Sequence, residues 1–177
     1  MKKLSCAFTG DKPDRFKFGY NEDDPEFDAL KMKLITQIVN LCYEGVKVFY
    51  TRMELGVDTW CAEIVLSLQK DFNNLRLICV IPHTGQEKKW SSENQMRYRH
   101  LIENCSNMVI ISKGYTDTCY LESARYVVEH SDILLAVHGD DDSVERSADQ
   151  TVLYAQSKGK RILSIPLDPF IARKSED

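Results

Sequence analysis

Two stretches of this sequence are best equipped for chemistry: Thr9-Gly10-Asp11-Lys12-Pro13, and Thr51-Arg52-Met53-Glu54-Leu55-Gly56-Val57-Asp58. Each follows a short apolar run and mixes hydroxyl, glycine and charged residues. Gly10 would let a ligand lie close against the backbone, and Thr9 offers a hydroxyl. The second stretch leads into a helical pattern whose first amides could face a phosphate or another anion. In both stretches the glycines serve equally well as plain turns. Three more such stretches follow later apolar runs: Pro82-His83-Thr84-Gly85-Gln86, Ser112-Lys113-Gly114 and His138-Gly139-Asp140.

Other chemistries lack their signals. Neither G-x-G-x-x-G nor G-x-x-x-x-G-K-[ST] occurs, so the dinucleotide fingerprint and the phosphate-binding P-loop are missing. The six cysteines (Cys6, Cys42, Cys61, Cys79, Cys105, Cys119) form no C-x-x-C pair, and the four histidines show no ligand spacing, so no structural zinc is expected. Scattered in apolar settings, the thiols are expected to be reduced and mostly buried. Asp140-Asp141-Asp142 lacks the spacing of a calcium loop and reads as a solvated acidic loop. Asp58 either accepts hydrogen bonds from a ribose or base, or simply complements a helix dipole. With Glu63 it makes no supported acid/base pair. Trp60 and Trp90 are base-stacking candidates or core residues. The net charge of −4 shows no general nucleic-acid footprint, and Lys88-Lys89, Arg97/Arg99 and Lys158-Lys160-Arg161 read as solvated helix ends.

The elements that must position these loops alternate from end to end. Leu4–Phe8, Val46–Tyr50, Leu75–Ile81, Met108–Ile111, Ile133–Val137 and Arg161–Ile165 read as strands, the third ended by Pro82 and the sixth by Pro166. Phe27, Leu30, Leu34, Ile38 and Leu41 mark a helix over 26–44, started at Pro25 and closed by Gly45. Val57, Trp60, Ile64 and Leu68 mark the second; residues 93–103 the third; Leu121, Ala124 and Val128 the fourth; Ala148, Val152 and Ala155 the last. Alternation of this kind implies right-handed crossovers and a parallel sheet with helices on both faces. Ligands of such sheets bind beyond the carboxyl ends of the strands. No run reaches the ~20 apolar residues of a membrane helix, and the N-terminus turns polar too soon for a signal peptide.

Thr9–Pro13, Leu55-Gly56-Val57-Asp58 with Trp60, Ala62 and Glu63, Gln86-Glu87-Lys88-Lys89-Trp90, and Arg125-Tyr126 ahead of Ser131-Asp132 resemble the YpsA-like branch of the SLOG superfamily. The resemblance runs over residues 4–168. It implies a Rossmann-like fold related to DprA and to LOG-type cytokinin-activating proteins, a nucleotide pocket, and a bacterial or phage origin. It makes Arg125 and Tyr126 pocket or interface candidates; a salt bridge to Glu122 or Glu129 is the plainer reading of Arg125. Three departures stand out. Relatives carry Ser-Gly where this chain has Thr51-Arg52, Gly-Gly-Thr where it has Arg146-Ser147-Ala148, and often His and Arg at Asp11 and Lys12, although Thr151, Val152, Tyr154 and Ala155 still match. Arg52 then either closes the pocket, pairing with Glu54 or Asp58, or binds an anion itself, with Arg146. Around Arg146–Tyr154, Gln150 and Leu153 stand in place of the LOG hydrolase motif, which argues against phosphoribohydrolase chemistry.

The expected fold class is therefore α/β: one Rossmann-like, doubly wound, mostly parallel domain over residues 1–170, with a frayed tail at 171–177. The expected ligand-binding residues are Thr9, Gly10, Lys12, Thr51, Arg52, Leu55, Gly56, Asp58, Pro82, Arg125, Arg146 and Thr151, with no catalytic set and no metal. The expected function is binding of a nucleotide or nucleotide-derived small molecule, as a sensor or accessory module in a cytoplasm, with no obligatory cofactor, no membrane or nucleic-acid partner, and homo-oligomer formation as an option. Two alternatives stand beside it: a nucleotide-processing enzyme that cleaves an N-glycosidic or phosphoester bond, and an interaction module whose pocket has degenerated.

Overall fold

A computed structural model describes residues 4–139, 147–168 and 170. Six strands, β1 (Leu4–Gly10), β2 (Val46–Thr51), β3 (Arg76–His83), β4 (Asn107–Ser112), β5 (Ile133–His138) and β6 (Arg161–Pro166), form one parallel sheet in the order β4-β3-β2-β1-β5-β6. The chain walks outward from β1 to β4, then crosses back to lay β5 on the other side of β1. The strand order reverses there, with Ala7 beside Leu134 and Gly10 beside Val137. This is the α/β Rossmann-like arrangement expected.

Five helices connect the strands: α1 (Pro25–Tyr43), α2 (Val57–Leu68), α3 (Ser92–Asn104), α4 (Cys119–Glu129) and α5 (Ser147–Ser157). Strand alternation divides the core between two faces. Phe8, Phe49, Leu77 and Leu135 pack with α1, α2 and α3, whereas Ala7, Val80, Leu134 and Ala136 pack with Val127 and Val128 of α4 and Val152 and Ala155 of α5. Local signals set the helix ends. Asp24 caps α1 by accepting from the Glu26 amide at 2.8 Å, Pro25 occupies its first turn, and Gly45 leaves it at φ +97°. Ser91 caps α3 through the Asn94 amide.

Trp60 belongs to the core. It is 3% exposed and packs against Phe16, Phe18 and Phe27 with ring centroids 5.0–5.8 Å apart. Edge-on and tilted aromatic contacts of this kind add about 0.5–1.5 kcal/mol each beyond area burial. Five of the six cysteines are buried and all six are free thiols. No helix among the described residues is long and apolar enough to cross a membrane.

Two sequence expectations need correction. Pro82 does not end the third strand, because β3 continues to His83, which pairs with Ser112 of β4. β2 stops opposite Cys79, so beyond that point one edge of β3 needs no ladder donors and an imide nitrogen costs little. Leu121 is 44% exposed rather than part of the α4 core stripe, which is Cys119, Ser123, Ala124, Val127 and Val128.

α2 approaches β1 closely at Gly10. A β-carbon on Gly10 would stand 2.3 Å from Val57 Cγ2. Gly10→Ala should therefore lower stability by about 1–3 kcal/mol, the usual cost of overpacking. Val57→Ala in the same chain should return part of that loss, since residues in contact couple. Urea unfolding of the two single variants and the double variant measures this; strictly additive losses would contradict it.

Candidate functional site

The loop 51–56 is built from unusual backbone. Met53 is fully buried at φ +62°, a region bulky side chains avoid, and Gly56 enters α2 at φ +95°. Side chains hold the turn. The Thr51 hydroxyl donates to the Asp58 carbonyl at 3.0 Å and accepts from the Met53 amide at 3.2 Å. The Arg52 amide donates to Asp58 Oδ1 at 3.3 Å, and Gln86 Nε2 donates to the Arg52 carbonyl at 3.3 Å.

Within this loop the Arg52 side chain is only 1% exposed. Its Nη2 lies 3.1 Å from Glu54 Oε2 and 3.4 Å from Asp58 Oδ2, and it donates to the Thr9 hydroxyl at 3.4 Å. Nε and Nη1 are buried and meet no acceptor among the described residues. Burial pulls the guanidinium toward its neutral form, but Glu54 and Asp58 outweigh this and hold its proton more tightly than usual. Burial raises Asp58 to about 6, opposed by Arg52 and reinforced by Glu54. The Tyr120 phenol, at the start of α4, is pushed up to about 12 by burial and then by Glu54. One guanidinium thus faces two carboxylates, and the cluster holds no surplus positive charge for a phosphate.

The two glycines expected to admit a ligand admit the chain itself. Val57 fills the space before Gly10, and the Asp11 carbonyl stands 2.5 Å from where a Gly56 β-carbon would be. Thr9, Gly10, Thr51, Arg52, Gly56 and Asp58 therefore come together as a packed junction at the carboxyl ends of β1 and β2. Pro82 is buried near the end of β3, and Lys12 is exposed. Arg125 and Thr151 lie elsewhere, beside a groove of about 170 Å³ between α4 and α5, where the Arg125 guanidinium covers the Tyr154 ring at 5.5 Å. Arg146 and Asp140–Asp142 lie outside the described residues.

Open space lies on the other side of the 51–56 loop. A cavity of about 770 Å³ is walled by Glu22 from the β1–α1 connection, Leu55 and Gly56, Thr59 in the first turn of α2, Trp90 from the β3–α3 loop, and Arg97 of α3. Gly56 offers α2 no side-chain cap, and the first hydrogen bond of that helix runs from the Trp60 amide to the Gly56 carbonyl at 2.9 Å. The amides of the first turn are thus free of intrahelical acceptors, as at any helix start. The cavity wall is pinned by a four-residue network. Arg97 grips Glu63 through Nε and Nη2 at 2.7 and 2.8 Å and Glu22 through Nη1 at 2.7 Å, and the Trp60 indole donates to Glu22 at 2.8 Å. In the sequence Arg97 reads as part of a solvated helix end, and Glu22 lies three residues before Pro25. Their distance along the chain leaves no local pattern that would join them.

The YpsA family, described as the YspA SLOG family, matches residues 6–168. UPF0398 proteins of Staphylococcus aureus strains JH9, JH1 and Mu3 are each 27% identical over 124 residues, which is 69% of this chain. The match spans 66% of the length of each of these relatives.

Removing Arg52 strands two buried carboxylates. Arg52→Met should cost about 3–5 kcal/mol, and adding Glu54→Gln and Asp58→Asn should recover part of it. Asp58 itself carries a pH signature. Its folded value of about 6 lies above the ordinary 3.8, so the native state binds this proton more tightly than the unfolded chain. Its stabilising contribution is full below the ordinary value and is lost as pH rises through about 6. Asp58→Asn should therefore flatten the dependence of stability on pH across that window in denaturant titrations. An unchanged slope would show that Asp58 is not the titrating group.

Proposed function

The chain belongs to the SLOG family, in its YpsA branch, and from that premise we propose that it binds a nucleotide or nucleotide-derived small molecule in the cavity at the start of α2. The observation that carries this reading is the cavity of about 770 Å³ bounded by the loops that follow β1, β2 and β3. Its volume lies in the range of small-molecule sites, about 300–1,000 Å³. Helix-start amides on one wall suit a phosphate or another anionic group, and the half-buried Trp90 on another gives a planar base something to lie against. Arg97 and Lys89 add positive charge, but Glu22, Asp23 and Glu93 balance it. Amide donors and shape, rather than net charge, would carry the affinity. In this reading the protein acts as a sensor or accessory module.

Calorimetry against nucleoside mono-, di- and triphosphates and dinucleotides tests the proposal. At least one should bind, with only a shallow loss of affinity as salt rises. Leu55→Trp, which places a larger side chain in the cavity wall, should abolish that binding while leaving the fold intact by circular dichroism. Binding that survives this substitution would move the site elsewhere, and no binding by the native protein would remove the ligand reading altogether.

A further inference from the structure

A second group of chemically able side chains lies at the β6 edge of the sheet, on the face that carries α4 and α5. The cavity at the start of α2 belongs instead to the loops that follow β1, β2 and β3. Ser164 of β6 pairs with Ala136 of β5, and His138 stands two residues further along β5, on the same face. The Ser164 hydroxyl lies 2.9 Å from His138 Nε2. Across the ring, His138 Nδ1 lies 3.8 Å from Oδ1 of Asp149, a residue in the first turn of α5. The Leu167 amide donates to the His138 carbonyl at 3.0 Å and fixes the end of β5. Ser164 is exposed, whereas His138 and Asp149 are half-buried. A hydroxyl open to solvent, an imidazole within hydrogen-bond reach and a carboxylate on the far ring nitrogen are the parts from which serine hydrolase centres are assembled, in any chain order.

We propose that these residues form a hydrolytic centre for small carboxylic esters, with Ser164 the nucleophile, His138 the general base and Asp149 a positioning residue. A carboxylate beside Nδ1 favours the imidazole tautomer with its proton there, which leaves Nε2 to accept from the Ser164 hydroxyl. The 2.9 Å contact is short enough for proton transfer, and the 3.8 Å contact is of ion-pair length and tightens as the imidazole gains charge. The positive end of the α5 dipole suits a carboxylate at this place and an oxyanion near it. In the first step Ser164 Oγ attacks the carbonyl carbon of the ester while its proton passes to Nε2. The bond to the alkoxy oxygen breaks, that oxygen takes the proton from Nε2, and an alcohol leaves an acyl group on Ser164. In the second step a water gives a proton to Nε2 and attacks the acyl carbon. The bond to Oγ breaks, Oγ recovers the proton, and the carboxylic acid leaves. One ester and one water become one acid and one alcohol. An exposed serine on an edge strand offers little enclosure, which limits the substrate to esters whose leaving group departs readily.

The test uses the full chain and two probes. A fluorophosphonate, which reacts with a serine activated by a neighbouring base, should add one phosphonyl group to the tryptic peptide Ile162–Arg173, whose single serine is Ser164. p-Nitrophenyl acetate should give a burst of nitrophenolate and leave an acetyl group on the same peptide. Ser164→Ala should lose both labels. His138→Gln should slow labelling by roughly a hundredfold or more, the usual worth of a general base. Asp149→Asn should lower kcat for the ester with KM little changed, and Asp149→Glu should restore part of the rate, which a merely structural role would not do. Circular dichroism checks that each variant folds. Labelling of a different residue, labelling of Ser164 that is indifferent to His138, an Asp149→Asn variant as fast as the native protein, or no labelling of the native protein would each overturn the proposal.

Discussion

The first turn of α2 lies so close to the end of β1 that neither Gly10 nor Gly56 has room for a β-carbon. Much of the carboxyl edge follows from that contact. A helix held so near the central strand forces the chain between β2 and α2 into a tight path, with Met53 and Gly56 both at positive φ. The same path turns Arg52 inward, under Thr9 and between Glu54 and Asp58. Glycine in this setting provides closeness of chain to chain. What Rossmann-like folds often give to a ligand, this one gives to a helix.

Electrostatics then separates the two sides of the loop. On the α4 side a single guanidinium is more than matched by two carboxylates, one of them raised by burial, and two of its nitrogens carry donors that no described acceptor meets. Such a junction is costly to disturb, because stripping one partner from a buried ionic cluster leaves uncompensated charge. On the α3 side there is space, a helix start without a side-chain cap, and walls held by the Glu22–Arg97–Glu63 network. Space and free amides lie on one side of Gly56, and the buried charges lie on the other.

Much of this architecture is legible in the sequence. The apolar stripe from Phe27 to Leu41 buries its residues, and the order of apolar runs gives the parallel strands. These signals are local, set by periodicities of a few residues. The pairing of Arg52 with nearby acids is one of two readings the spacing allows, since Glu54 and Asp58 are short-range neighbours. The cavity is not legible. Glu22, Trp60, Glu63 and Arg97 come from three separate elements, and only the fold brings them together. Strand ends are the other weak point: Pro82 looks like a terminator until the shorter neighbouring strand β2 shows why it is tolerated.

The proposed ligand space lies at the start of α2 and not beside the Arg52 guanidinium. Amide chemical-shift mapping during titration with a nucleotide addresses this most directly, because it reports location without a substitution. The largest shifts are expected at Leu55, Gly56, Thr59, Asn94 and the Trp90 indole, with Thr9, Tyr120 and the Arg52 guanidinium nearly still. Shifts concentrated on those last three, around the Arg52 guanidinium, would contradict it.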